Sequence, residues 1–211
     1  MITAGPTYEP VDPVRFIGNH STGKMGYAIA EAFARQGAWV TLVSGPVSVS
    51  AQHHRITVVD VTTAAEMYDA CREHIGQTDI AVFNAAVSDF TPETPLTNKM
   101  KRGSADRTIR LQPTRDIAAE MGKQKRSGQL FAGFALETGN GLENARKKLE
   151  RKNLDLVVLN SLEDEGAGFG TETNKVTFVD KSGFIDTFEV KPKREVAGDI
   201  VRKIAKMMKH A

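Results

Sequence analysis

The chain has 211 residues, 40% of them hydrophobic and 26% charged, with a net charge of +2, which describes one globular domain spanning residues 1–211. So small a positive excess gives no reason to expect a nucleic-acid partner, and no stretch approaches the ~20 apolar residues that span a membrane. The single Cys71 excludes an internal disulfide and suits a reducing, cytoplasmic compartment.

In chain order, residues 1–4 read as the end of a β-strand that breaks at Gly5-Pro6. Strands usually run to about five or six residues, so this start is expected of a chain cut from a longer polypeptide. A polar loop carrying Asp12, Pro13 and Arg15 then leads through Gly18-Asn19-His20-Ser21-Thr22-Gly23-Lys24 into a helix over residues 23–36. Ser21 or Thr22 is the expected N-cap, with Tyr27, Ile29, Ala30 and Phe33 as the apolar stripe and Gly37 as the stop. Free N–H groups at such a helix start, with the positive end of its dipole, suit an anion. The loop satisfies G-x-x-x-x-G-K, but Met25 stands where a P-loop needs Ser or Thr. The glycines at 5, 18, 23 and 26 are not spaced as a dinucleotide fingerprint. On spacing alone two readings stand: an ordinary β–α loop, and a non-standard phosphate site in which Ser21, Gly23 and Lys24 face the anion.

Strands follow at residues 39–43, 56–61 and 79–83, with a helix between the last two capped by Thr62 or Thr63 and running through His74. Cys71 falls in that helix as a packing residue. The run 88–106, with Pro92, Pro95 and Gly103, exceeds the ~12–15 residues at which loops become functional, and is expected to be a lid-like loop. A strand at 108–111, a helix at 114–123, a strand at 129–136, a helix at 140–152 and a strand at 154–160 continue the alternation. Residues 176–179 and 184–190 flank a hairpin turn, and a helix at 194–208 closes the chain. The fold class is therefore α/β: a doubly wound, mostly parallel (Rossmann-like) sheet with a C-terminal β-hairpin and helix. Ligands of such sheets lie beyond the carboxyl ends of the strands, which selects Gly5 to Thr7, Gly45, Asn84 to Asp89, Glu137-Thr138 and Asn160.

The polar residues at those ends come in a familiar order: Ile2-Thr3-Ala4-Gly5-Pro6-Thr7, Asp12-Pro13-Val14-Arg15, Asn19-His20-Ser21-Thr22-Gly23-Lys24-Met25-Gly26, Ala85-Ala86-Val87-Ser88-Asp89, Lys99-Met100-Lys101-Arg102 and Arg151-Lys152-Asn153-Leu154-Asp155. Together they resemble the bacterial phosphopantothenoylcysteine synthetases of coenzyme A biosynthesis, over essentially the whole chain. The resemblance implies a ligase that uses CTP and Mg2+ to convert 4'-phosphopantothenate to an acyl-cytidylate, releasing pyrophosphate. The amine of L-cysteine then displaces CMP. It also implies a homodimer, and in many bacteria fusion to an N-terminal flavin-dependent decarboxylase domain.

By the same resemblance, Lys99 in the lysine-rich segment faces the α-phosphate, where a nucleotidyl transfer builds negative charge. Arg102 stands where many members have lysine. Phe83, Asn84, Ala85 and Asp89 contact the nucleotide, and Asp89 accepts from a ribose hydroxyl or holds the metal ion. Phe134 lies near the base, and Thr114, Arg115, Asp116 and Ile117 form the next contact, with Thr114-Arg115 departing from the more usual Asn-Pro. Lys148 and Lys152 share one helix face and reach the nucleotide; as plain helix residues they would only complement the helix dipole. Asn19 matches the asparagine at the acyl-cytidylate, where an amide donates to developing charge; as a plain residue it would be a turn asparagine. Two other classes share the sheet. A nicotinamide-dependent reductase is disfavoured because Tyr8, Tyr27 and Tyr68 all lack Lys four residues on. A non-catalytic nucleotide-binding module would need neither the lysine segment nor Asn19.

Overall fold

The structure, a computed structural model, describes residues 1–101, 108–137, 140–161 and 171–209, leaving aside the side chains of Glu137 and Ser161. It opens with β1 (Ile2–Ala4), wholly buried. The chain then doubles back as a small antiparallel hairpin, β2 (Tyr8–Pro10) and β3 (Phe16–Gly18), in place of the expected structureless loop. Prolines at 10 and 13 disguise the pattern, but Tyr8 stacks on Phe16 with ring centroids 3.8 Å apart. Glu9 anchors the hairpin: its buried carboxylate accepts from the Ala64 N–H at 2.8 Å.

The helix α1 (Lys24–Arg35) is capped by Gly23, not by Ser21 or Thr22. Gly23 turns at φ 75°, and a Cβ there would lie 2.6 Å from Val47 Cγ1, so the position excludes a side chain. Ser21 Oγ accepts from the Gly23 N–H instead, at 3.3 Å. After β4 (Val40–Ser44) and β5 (Ile56–Asp60), Thr63 caps α2 (Ala64–His74) in a reciprocal box with Glu66. A 3-10 turn (Ile75–Gln77) precedes β6 (Ile80–Phe83).

Two expectations shift next. The run 88–106 contains β7 (Phe90–Pro92), and its residues 102–106 lie outside the described ones. The strand expected at 108–111 is β8 (Leu111–Pro113), antiparallel to β7. The apolar alternation at 108–111 marks no buried face, since Ile109 and Leu111 are both exposed. Prolines suit this two-stranded ribbon because its edges need few donors. The helix α3 (Ile117–Lys123) starts later than expected because Asp116 is its cap, accepting from the Ala119 N–H at 3.2 Å. The alternation then holds through β9 (Leu130–Glu137), α4 (Gly141–Arg151) and β10 (Leu156–Ser161). The described chain closes with β11 (Thr173–Asn174), β12 (Val176–Asp180), β13 (Ile185–Thr187), β14 (Lys191–Pro192) and α5 (Lys193–Met208). Thus β13 is shorter than the run 184–190 expected for it.

Eight strands form one sheet in the order β13-β12-β10-β9-β6-β1-β4-β5. From β10 to β5 every pairing is parallel; β12 and β13 add an antiparallel edge. Apolar residues on both sides of each central strand demand cover on both faces. On one face Ile29 and Phe33 of α1 and Ile200 and Ile204 of α5 pack on Leu42 and Val158. On the other, Met67 of α2, Met121 of α3 and Leu149 of α4 pack on Phe131 and Val157. Cys71 belongs to this second layer, and burial pushes its thiol up to about 12, so it packs and does not react. From β1 the chain winds outward to β4 and β5, then returns through α2 to β6 on the other side. The adjacent, parallel β1 and β6 therefore mark the point where the winding reverses, and the crevice that a doubly wound sheet offers a ligand lies at their carboxyl ends.

Candidate active site

The loops leaving β1 and β6 are tied together beneath the crevice. Thr3 Oγ1 accepts from the Asn84 and Ala85 N–H groups at 3.1 and 3.2 Å, and the Ala86 N–H donates to the Gly5 carbonyl at 2.9 Å. Thr7 Oγ1 accepts from the Ser88 N–H at 2.9 Å. Asn19 reaches this wall from just beyond β3. Its amide nitrogen donates to the carbonyls of Ala86, at 2.9 Å, and Val87, at 3.2 Å. Carbonyl oxygens only accept, so the amide nitrogen is committed to the wall. Any oxyanion in the cleft competes with those two carbonyls for it.

A cleft of about 500 Å³ opens above. Phe83, Ala85 and Asn19 line it from the tied loops, Phe134 from β9, and Asp89, Thr114, Arg115, Asp116 and Ile117 from the ribbon and the start of α3. Lys148, Arg151 and Lys152 close it from α4. Thr114 fixes the rim: its Oγ1 donates to the Ser88 carbonyl at 2.6 Å and its N–H to the Asp89 carbonyl at 2.9 Å. The Arg115 guanidinium lies 4.6 Å from the centroid of the Tyr68 ring, which steadies it against α2. Lys152 Nζ donates to Asp116 Oδ1 at 2.8 Å, and Lys148 Nζ to the Phe134 carbonyl at 3.4 Å. Burial alone would push the Asp116 carboxyl up. Lys152, the Ala119 N–H and Arg151 outweigh it and hold the carboxyl below the ordinary carboxylate range. Asp116 is thus paired with both Lys152, at 2.8 Å, and Arg151, at 3.6 Å.

A smaller cleft, about 150 Å³, adjoins the first, and the two share Ala85, Ala86, Phe134 and Leu136. Ser21, Thr22, Gly23 and Lys24 line it at the start of α1, with Asn84, Asn160, Asn174 and Lys193 opposite. The helix start can sit this low over the sheet only because residue 26 is glycine: a Cβ there would lie 2.5 Å from Ala4 Cβ. Lys24 pairs with the exposed Glu172. Lys193 is buried and donates to the Thr171 carbonyl at 2.6 Å. Burial, then the charge of Lys24, lowers its pKa, with Glu172 opposing. Asn160 Oδ1 is buried without a hydrogen-bond partner, so the cleft holds an acceptor as well as cations.

Of the residues selected from sequence, Phe83, Ala85, Asp89, Asn19, Thr114 to Ile117, Phe134, Lys148 and Lys152 meet in the larger cleft. Asn84, Ser21, Gly23 and Lys24 meet in the smaller. Lys99 lines neither; it is exposed, beside Met100. The Glu137 side chain and Thr138 lie outside the described residues. Thr3 and Arg151 enter the sequence reading only as motif residues with no site role, and Lys193 escaped it. Thr3 looks like any strand residue, and Lys193 comes to the cleft from far along the chain with no motif around it. Among the described residues no group of three His, Cys, Asp or Glu side chains could hold a metal ion. No described helix is long and apolar enough to cross a membrane.

A family model described as the DNA/pantothenate metabolism flavoprotein C-terminal domain matches residues 1–208. The chain is 58% identical over 204 residues to a protein of an unknown prokaryotic organism named cysteine/cysteine sulfinic acid decarboxylase, covering 97% of this chain and 57% of that protein. It is 45% identical over 209 residues to the coenzyme A biosynthesis bifunctional protein CoaBC of Bacillus subtilis strain 168, covering 99% of this chain and 51% of that protein. The chain therefore spans little more than half the length of these curated relatives. A crystal structure of the C-terminal domain of a CoaBC protein superposes with a TM-score of 0.83 at 40% identity, covering 100% of this chain and 96% of that one.

Proposed function

We propose, from the premise that the chain belongs to the DNA/pantothenate metabolism flavoprotein C-terminal domain family, that it is a CTP-dependent phosphopantothenate–cysteine ligase of coenzyme A biosynthesis. The carboxylate of 4'-phosphopantothenate attacks the α-phosphorus of CTP, forming the acyl-cytidylate and expelling pyrophosphate. The amine of L-cysteine then adds to the activated carbonyl, CMP leaves and a proton is lost. The observation that carries this reading is the larger cleft at the β1/β6 switch point, which gathers in one place most of the residues that the resemblance assigns to the nucleotide, all but Asn84 and Lys99. Phe83 and Phe134 offer an apolar seat for the base, and Lys148 and Lys152 supply positive charge to the phosphates. The smaller cleft, with Ser21, Gly23, Lys24 and the free N–H groups of α1, suits a phosphate beside it.

Magnesium fits this arrangement as an ion carried in on the nucleotide. Mg2+ is usually held by one or two carboxylates, several waters and the substrate's phosphates. Asp89, exposed at the rim, would hold it, and the ion would neutralise charge on the phosphates. The decarboxylase named for one relative belongs to a protein that extends well beyond the match, and the bifunctional relatives fit a chain joined in nature to a decarboxylase domain. In the assay with phosphopantothenate, cysteine and Mg2+, pyrophosphate release should be far faster with CTP than with ATP at subsaturating concentration. Equal rates would overturn the nucleotide assignment, and carbon dioxide release from cysteine without ligation would overturn the ligase.

The two small ribbons support a homodimer. Val14, Phe16, Phe90, Leu96, Ile109 and Leu111, on or beside β2–β3 and β7–β8, are all exposed, Phe16 by 53%. Exposed apolar residues gathered on one side of a protein mark an association surface. Phe16→Glu should convert a dimer to a monomer in sedimentation velocity. A wild-type chain that sediments as a monomer at micromolar concentration would remove the proposal.

A further inference from the structure

Asp12 sits in the turn between β2 and β3, and its carboxylate makes more contacts than a turn needs. Oδ1 accepts from the Val14 N–H at 2.8 Å and the Arg15 N–H at 2.9 Å, which close the turn. Oδ2 points away from the turn. It accepts from the Met100 N–H at 3.0 Å and from Arg15 Nη2 at 2.9 Å. Arg15 Nη2 also donates to the Met100 carbonyl at 2.6 Å. Both polar groups of the Met100 backbone are therefore held by this one pair. The Asp12 side chain is fully buried while that of Arg15 is 47% exposed, so the carboxylate is the inner member and the guanidinium covers it. Four donors fill the carboxylate. Burial works against its charge, but the Met100, Val14 and Arg15 N–H groups and the Arg15 charge hold its pKa below the ordinary range.

Met100 lies between Lys99 and Lys101, the two described lysines of the basic segment. The Leu96 N–H also donates, at 2.9 Å, to the Val11 carbonyl in the same turn. The β2–β3 turn is thus a bracket that fixes both the entry and the middle of the lysine segment. We infer that Asp12, covered by Arg15, is a positioning residue: it sets where Lys99 and Lys101 stand by clamping the Met100 backbone between them. A lysine's charge acts over a few ångströms on a flexible stem, so the backbone from which it extends decides what it can reach. The importance of this clamp to turnover rests on the nucleotidyl-transfer reading above; the clamp itself does not.

Asp12→Asn tests it, because the new amide puts a donor where the carboxylate received only donors, at nearly unchanged size. Site-resolved trypsin cleavage, read by mass spectrometry, should show cutting after Lys99 and Lys101 rising tenfold or more relative to cutting after Arg35. The KM for CTP should rise severalfold while that for phosphopantothenate stays constant, a split that simple loss of folded protein would not produce. Arg15→Ala, at a half-exposed site, leaves the turn carboxylate in place and should give the same pattern more weakly; it serves if Asp12→Asn fails to fold. Unchanged relative cleavage in a folded variant overturns the clamp. Faster cleavage with unchanged KM for CTP overturns its positioning role. Should the unaltered chain release no pyrophosphate from CTP, the ligase reading fails while the cleavage ratio still decides the clamp.

Discussion

Lys99→Gln should lower the rate of pyrophosphate release by about 10²–10³, the loss usual when one preorganised donor to developing charge is removed. The amine is exposed and lines neither cleft, but it extends from a backbone fixed at the neighbouring Met100. In the proposed reaction the first half needs positive charge at the α-phosphate as the bond to pyrophosphate breaks. Lys148 and Lys152 cannot fully replace it. They approach from α4, and Lys152 is already paired with Asp116. Glutamine keeps much of the length of lysine and can donate, but carries no charge. The site is on the surface, where substitutions usually change stability by no more than about 0.5 kcal/mol, so the melting temperature should hold. Quenched-flow measurement of pyrophosphate in the first turnover checks the chemical step directly. Release near the wild-type rate by a folded Lys99→Gln protein would remove Lys99 from the mechanism.

The placement of Lys99 also shows where sequence reasoning reaches and where it stops. Strand and helix order was legible because each central strand is a continuous apolar run and each helix carries a 3.6-residue stripe. Right-handed crossovers then make the sheet doubly wound, and the structure supplies the order of its strands. That ordering places the crevice, and hence brings Phe83, Asp89, Phe134 and Lys152 to one cleft from points far apart in the chain. The failures lie in the pieces that the sheet does not dictate. The β2–β3 and β7–β8 ribbons are short, rich in proline and half exposed, so no alternation marks β2, β3 or β7, and the one at 108–111 overlaps β8 only at Leu111. The cap of α1 was misplaced because it uses the left-handed backbone of Gly23 and no side-chain oxygen, leaving Ser21 and Thr22 as decoys. Lys193 could not be found because its role depends on a strand pair, β11–β14, that carries the start of α5 to the smaller cleft. Asn19 was legible as a residue of the site, but its partners were not: that its amide grips the carbonyls of Ala86 and Val87 is a fact of tertiary structure alone.

That grip separates the two half-reactions in the second large effect. In Asn19→Asp a carboxylate replaces an amide nitrogen that donates to two carbonyl oxygens, so attraction becomes repulsion at 2.9 and 3.2 Å. Under the proposed mechanism, charge would also be added where negative charge develops as the cysteine amine adds to the activated carbonyl. Both effects fall on the wall that the two clefts share, through Ala86. The rest of the larger cleft has its own supports. Thr3 holds Asn84 and Ala85, Thr7 holds Ser88, and Thr114 ties Ser88 and Asp89 to the rim. None of these passes through Asn19, so nucleotide binding and the first step should survive better than the second. The variant is expected to consume CTP and phosphopantothenate, to accumulate phosphopantothenoyl-cytidylate, and to form ligated product about 10²–10³ more slowly, again the scale for losing one donor at an oxyanion. Mass spectrometry of acid-quenched mixtures reads the intermediate directly. A block before pyrophosphate release would place Asn19 with nucleotide binding, and would mean that the Ala86–Val87 wall, not the developing oxyanion, is what its amide serves.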